Sequence, residues 1–407
     1  MATVAAPAWT SSRKPASPQN LSELSNIYSP EDERYWEMVK KQFIVPEPLM
    51  MVNAANLCPS PYFVNEQVQA SLQKLEKDVS FQNREMFTSE RKEALEALAK
   101  FVGANVEEVG ITRNTTESNN ILVHGIDLKK GDEIVLWEQN HPSNNMAWEQ
   151  QASRLGFVIK KVSVPANPSS QEELIAPFRA AIGPKTKLIS FSHVSNTSGL
   201  ALPAKALCDL AKEKNVMSLV DGAQTFGMMD INLQEIGCDF YTGSTHKWLM
   251  GPLENGILYI KKERFNAVLP SVYGGGWKND SATVDEKFCV LGQRNETTAS
   301  AIKSIIDFHY TVGKKQIETR VKMLNSNFKE QLAVKVPTAK FLTPVSPEFS
   351  TGVTILSISD KGGPEIYQLL YERHGIACAP TGGFRFSPHI YNTKADLDRI
   401  VQALERV

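Results

Sequence analysis

The chain has 407 residues, 42% hydrophobic and 22% charged; this is a globular composition with room for two to three domains, and it excludes a disordered chain. Lys and Arg number 44 against 45 Asp and Glu, a net charge of -1, so no global basicity marks a nucleic-acid partner. No apolar run reaches the roughly 18 residues of a membrane span, and the 5 cysteines are odd in number, widely spaced and without a CxxC pair, which favours a reducing compartment over a disulfide framework or a zinc site.

Residues 1–28 are rich in Ala, Pro and Ser and read as a flexible leader or as the remnant of a trimmed export signal. The expected compartment is the cytoplasm in the first case and the periplasm in the second. Ser29-Pro30-Glu31-Asp32 predicts a helix start, with the Ser29 hydroxyl as cap and Pro30 in the first turn. Trp36, Val39 and Phe43 follow at helical spacing, and Val64, Val68, Leu72, Leu75 and Val79 mark a second helix. From about residue 107 the chain alternates, with β-rich runs at 109–112, 132–137, 157–164, 187–193, 216–220, 239–242 and 256–260. Helices are predicted between them, one over 170–182 opened by a capping box Ser170-x-x-Glu173 and one over 203–214. Strand–helix alternation of this kind predicts an α/β fold with a mostly parallel sheet covered on both faces. Beyond residue 299 a long helix to roughly Leu332 leads to strands at 353–358 and 376–379, a helix near 364–373, and a last helix capped by Thr393-x-x-Asp396. The expected division is a large domain over 29–298, with an N-terminal arm, and a smaller α+β domain over 299–407.

The chain carries no GxGxxG after a strand, no GxxxxGK[ST], no HExxH and no GxSxG, and Gly274-Gly275-Gly276 reads as a turn. Asp221 closes one predicted strand, and Lys247 follows the end of another, 26 residues later. Both then sit at carboxyl ends of strands, where α/β sheets place ligands. The two residues suit either a structural ion pair or a pyridoxal phosphate site, which needs a Schiff-base lysine and a carboxylate on the pyridine nitrogen. Ser244 and His246 flank the lysine and suit a phosphate. Thr115 and Thr116 follow the strand VGIT and open a helix, as an anion site or as a plain cap. His141, Asn196 and Gln224 each follow a strand, placed to stack on a cofactor ring or to bond its oxygen, or simply to lie in surface loops.

TRNTTES (112–118), NHPSNN (140–145), SHVSNTSGLALP (192–203), DGAQTFG (221–227), GSTHKWLMGP (243–252), GQRNET (292–297) and FRFSPHIYNTKADLDRIVQAL (384–404) together resemble the class V aminotransferase family. Within it the chain is similar to the isopenicillin N epimerase-like group, related to cysteine desulfurases. The resemblance implies a pyridoxal 5'-phosphate enzyme with a large α/β domain, a small C-terminal domain and homodimeric assembly. It implies that Lys247 forms the Schiff base, that Asp221 holds the pyridinium and that His141 stacks on the ring. Asn196 and Gln224 would contact the phenolic oxygen, Thr115, Thr116, Ser244 and His246 the phosphate, and Thr297 the phosphate of the partner's cofactor. Arg385 would grip a substrate carboxylate, although taken alone it reads as a surface salt bridge. The Ala54-Ala55-Asn56 turn would border the substrate. The implied activity is chemistry at the α-carbon of an amino acid, as a lyase of the C–S or β-elimination type or an epimerase, with aminotransferase or desulfurase as alternatives and a non-catalytic ligand-sensing module as a remote one.

The desulfurase alternative needs a nucleophilic cysteine before the arginine. Cys378 lies seven residues before Arg385, inside the predicted strand IACA, where a cysteine behaves as a small hydrophobe.

Overall fold

The computed structural model describes residues 28–358 and 364–406; the leader over 1–27 lies outside the described residues. The first helix, α1 (Glu33–Lys40), is capped by Asp32, whose carboxylate accepts from Arg34 N at 2.9 Å. The expected cap at Ser29 is displaced because the Ser29 carbonyl closes a turn with Asp32 N at 2.9 Å, so the chain turns once before it coils.

A seven-stranded sheet forms the centre. In chain order its strands are β2 (Val109–Thr112), β3 (Glu133–Trp137), β4 (Val158–Val162), β5 (Thr186–Ser192), β6 (Met217–Asp221), β7 (Phe240–Ser244) and β8 (Gly256–Ile260). In space the order is β2-β8-β7-β6-β5-β3-β4, parallel except for β8, which runs antiparallel to both neighbours. β6, β7 and β8 are buried almost throughout, as strands covered on both faces must be. Alternate residues enter opposite cores: Val135 and Trp137 face one, Ile134 and Leu136 the other. The edge strand β4 turns Lys160 and Lys161 outward, which discourages pairing with another chain.

One face is covered by α4 (Thr115–Gly125), α5 (Pro142–Leu155) and α9 (Val284–Phe288). The other receives α2 (Tyr62–Lys77), α3 (Phe81–Val102), α6 (Gln171–Ala181), α7 (Ala204–Glu213), α8 (Leu233–Ile236) and α10 (Ser300–Val312). On α2 only Val64 and Ser71 are buried; Leu72 is 46% exposed and Val79, beyond the helix end, 67%. The periodic stripe therefore faces partly outward. The expected box at Ser170 shifts by one residue, Glu173 accepting from Ser169 N at 3.0 Å. The long predicted helix breaks at Gly313, whose φ of 94° separates α10 from α11 (Lys314–Lys335).

The small unit carries an antiparallel sheet of β9 (Ala339–Phe341), β10 (Thr354–Ile358) and β12 (Phe384–Phe386), with α12 (Pro364–His374) and α13 (Lys394–Leu404). The capping box of Thr393 and Asp396 forms as expected. Two contacts tie the units together. β1 (Met50–Met51) pairs in parallel with β11 (Ile376–Ala377), so the N-terminal arm joins the small unit. Along α11, Val321 packs into the core of the central sheet and Leu324 into that of the small sheet.

Candidate active site

The parallel arrangement brings the carboxyl ends of β2, β3, β5, β6 and β7 to one edge of the sheet. Thr115, His141, Asn196, Asp221 and Lys247 all follow or close these strands. The two centres of the site lie on adjacent strands, with Asp221 opposite Thr242 in the β6–β7 register.

Asp221 is buried and fully engaged. Its Oδ2 accepts from Asn119 Nδ2 at 3.0 Å and from Asn144 Nδ2 at 3.4 Å, and its Oδ1 from Ala223 N at 3.0 Å. Asn119 is itself set by Thr242, whose hydroxyl donates to it at 2.8 Å. These bonds, and not a salt bridge to Lys247, hold the carboxylate. A structural ion pair between the two is therefore the poorer account. Neither Asn119 on α4 nor Asn144 on α5 stands out in the sequence, because a polar residue inside a helix usually faces water.

Lys247 lies in the connection over 245–255 between the antiparallel β7 and β8. Burial pulls its ammonium down to about 8, Asp221 pulling upward and Arg385 further down. Two buried imidazoles clamp the residues that follow it: His389 Nε2 donates to the Trp248 carbonyl at 2.9 Å and His309 Nε2 to that of Leu249 at 3.0 Å.

His141 caps α5, its Nδ1 accepting from Ser143 N at 3.2 Å and lying 2.7 Å from Ser143 Oγ. Burial and then Lys247 lower its pKa, against the pull of Asp221. Ser244 Oγ meets Thr115 twice, accepting from the amide at 2.8 Å and lying 2.6 Å from Oγ1. The cap of α4 is Asn114, which accepts from Glu117 N at 3.0 Å, so Thr115 and Thr116 are first-turn residues. Thr116 is exposed and lines a cavity of about 630 Å³ with Arg113, Asn120 and Glu254, whose lining includes none of Lys247, Asp221 or Arg385. His246 is held near 4 by burial, and its buried Nδ1 has no partner. Thr297 is buried in this chain, its hydroxyl donating to Asn295 Oδ1 at 2.7 Å.

Arg385 is 5% exposed and makes no salt bridge among the described residues, which sets aside the surface-pair reading. Its Nη1 donates to the Asn196 carbonyl at 3.3 Å and its Nη2 to Asn53 Oδ1 at 3.1 Å, while Nε is unpartnered. Burial lowers its pKa to about 10. The arm thus enters the site through Asn53, a residue the sequence did not single out; Asn56 is exposed on the turn beyond it. Asn196 meets Arg385 through its backbone. Gln224 is buried, its Nε2 donating to the Ala55 carbonyl at 3.0 Å and its Oε1 accepting from Trp248 Nε1 at 2.8 Å. Cys378 is buried in the small-unit core just past β11, and burial pushes its thiol up to about 12.

A family model described as aminotransferase class-V matches residues 60–400. The isopenicillin N epimerase of Streptomyces clavuligerus is 30% identical, over 77% of this chain and 83% of its own. A probable cysteine desulfurase of Halalkalibacterium halodurans is 29% identical, over 77% of this chain and 81% of its own. Among solved structures, an apo cysteine desulfurase from Thermococcus onnurineus NA1 superposes with a TM-score of 0.80 at 24% identity, over 91% of this chain and 97% of that one.

Proposed function

The chain belongs to the class V aminotransferase family of pyridoxal phosphate enzymes, and from that premise we propose that it acts at the α-carbon of an amino-acid substrate as an epimerase or a lyase. The observation that carries this reading is a buried guanidinium without a carboxylate, Arg385, whose charge is felt by both Lys247 and His141. A buried cation of this kind costs free energy unless an anion joins it. A substrate carboxylate is such an anion, and a planar fork binds it through two parallel bonds.

The residues present fit the cofactor. Two buried nitrogens on the walls of the site, His246 Nδ1 and Arg385 Nε, have no partner, which suits a phosphate at one and a carboxylate at the other. Asp221 would hold the pyridinium, His141 cover the ring, and Ser244, Thr115, Thr116 and His246 hold the phosphate. Gln224 and Asn196 would lie at the phenolic oxygen, and Asn56 at the substrate's rim. Bound there, pyridoxal phosphate supplies an electron sink for a carbanion at the substrate's Cα. Lys247 Nζ is the proton carrier to and from Cα, and a pKa near 8 lets it take a proton and return it near neutral pH. Arg385 orients Cα–H toward that nitrogen.

Similarity to the epimerase favours proton delivery from a second donor to the face of Cα opposite Lys247, and loss of a β-substituent is the lyase outcome. Incubating the loaded protein with amino acids in D2O separates these outcomes. Deuterium at Cα with inverted configuration supports epimerase, pyruvate-type products with ammonia support lyase, and no exchange with any amino acid overturns both. Likeness to a desulfurase motivates a second reading. It would need a thiolate, which burial disfavours at Cys378.

A homodimer is part of the proposal. Phe81 is 85% exposed and Tyr273 62%, while Arg84 near the start of α3 pairs with Glu296 at 2.8 Å, beside Thr297. Large apolar side chains left in water next to the segment expected to meet the partner's phosphate support a second copy on that face. Among the described residues no helix is long and apolar enough to cross a membrane. The five cysteines are all free and buried, which supports a reducing, cytoplasmic setting.

A further inference from the structure

We propose that Trp248, the residue after the Schiff-base lysine, is a positioning residue that fixes the flip of the Gln224 amide; the inference rests on the cofactor reading above. A glutamine amide has a donor end and an acceptor end of nearly the same shape, and which end faces a site is decided by its neighbours. An indole N–H donates and never accepts. Trp248 Nε1 lies 2.8 Å from Gln224 Oε1, so the carbonyl end must face the indole. The amino end then faces the other way, where one N–H donates to the Ala55 carbonyl at 3.0 Å and the second remains to be offered toward the site. Gln224 is 3% exposed, so no bulk water competes for either end.

Trp248 is itself immobile. It is fully buried. Its carbonyl accepts from His389 Nε2 at 2.9 Å, and His389 Nδ1 accepts from Ile390 N at 2.7 Å, which fixes the tautomer. Gly352 approaches so closely that a Cβ there would lie 2.5 Å from the indole Cη2. One side chain thus ties the lysine turn, the small unit, and the arm that carries Asn53 to Arg385. With the indole in place, Gln224 meets a ring oxygen only as a donor. Without it only the Ala55 carbonyl holds the amide, and the flipped form that presents its carbonyl oxygen to the ring oxygen loses one of the two contacts opposing it.

The test is the pH midpoint of the visible absorbance of the loaded protein. A donor on the ring oxygen stabilises the deprotonated form, so losing it raises the midpoint. Trp248→Phe keeps the packing and removes the N–H; the expected rise is roughly one unit, the scale of one hydrogen bond to a charged group. Gln224→Leu should give a similar rise, and the double variant no more than either alone. Lys247, Asp221, His141, His246, Arg385 and His389, the titratable and charged groups around this corner, are themselves unchanged in all three. An unchanged midpoint in Trp248→Phe, or fully additive shifts, overturns the inference. If Trp248→Phe does not fold, Gln224→Leu in protein labelled with 15N-tryptophan decides: one indole resonance must move, and a spectrum without that change overturns the inference. A wild-type protein that takes up no cofactor refutes the functional reading, whereas a normal wild-type band with no shift in the variants refutes only the role of Trp248.

Discussion

Asn53 Oδ1 accepts a hydrogen bond from Arg385 Nη2 at 3.1 Å across 332 residues of chain. Arg385→Ala should raise KM and lower kcat/KM by roughly 10²-fold or more, because orientation of Cα is lost with affinity. Arg385→Lys should rescue little, since a point charge cannot form the paired bonds. Asn53→Ala, which frees the guanidinium without removing it, should cost about tenfold. Steady-state kinetics on the best substrate, with cofactor content measured in parallel, check all three; unchanged kinetics in Arg385→Ala place the carboxylate elsewhere.

Cys378 separates the two readings of the chemistry. A thiol held near 12 is protonated at neutral pH, so native protein should resist iodoacetamide at this residue. Cys378→Ser should keep turnover and lose about 1–2 kcal/mol of stability, read as a lower Tm, from placing a hydroxyl in an apolar core. Abolished turnover with the cofactor still bound would establish a thiolate mechanism.

Lys247 should be the amine that the cofactor occupies. Borohydride treatment of the loaded protein should leave the added mass on Lys247 alone, read by peptide mapping. In cofactor-free protein its labelling by an amine reagent should rise with a midpoint near pH 8, because the neutral amine is the nucleophile and burial lowers its pKa. Exposed lysines should follow only at roughly pH 10 or above. A midpoint there for Lys247 would show that its depressed pKa is absent.

Acid should loosen the lysine turn. His309 and His389 are neutral in the fold, with pKa values lowered by burial to about 3 and about 4. In the unfolded chain they bind protons below roughly pH 6.5. Stability is therefore unaffected above that pH and falls as pH drops from there toward 4, by up to about 1.4 kcal/mol per unit for each ring. Thermal melts across this range should show the slope. His389→Gln, which keeps an N–H donor for the Trp248 carbonyl, should flatten it.

The dimer face should be sensitive to charge. Phe81→Glu and Tyr273→Glu should leave the monomer fold intact, since both side chains are exposed, and shift sedimentation toward the 45.2 kDa species. Wild-type protein that sediments only as that species while fully active would remove the homodimer.

The central sheet was legible because strands covered on both faces must be apolar at nearly every position, as in GILYI over 256–260. Lys247 and Asp221 were legible by their position at strand ends. Periodicity found α2 but not what covers its stripe, and Leu72 lies open. Asn53 escaped because β1 is two residues long and its partner strand lies near the other end of the chain. Asn119 and Asn144 escaped for a different reason: their meaning is the carboxylate they share, and neither spacing nor propensity records a convergence of two helices on one side chain.

The pairing of β1 with β11 also sets an order of events during synthesis. Strand β6 with Asp221 and the β7–β8 connection with Lys247 have been synthesised once Ile260 is made, whereas β1 waits for Ile376 and Asn53 for Arg385. At roughly 5–20 residues per second, the 125 residues from Ile260 to Arg385 take on the order of 6–25 s. For that interval a nascent chain can hold the lysine and its carboxylate while the arm trails unpaired. The contact between Asn53 and Arg385 is among the last of the fold to form.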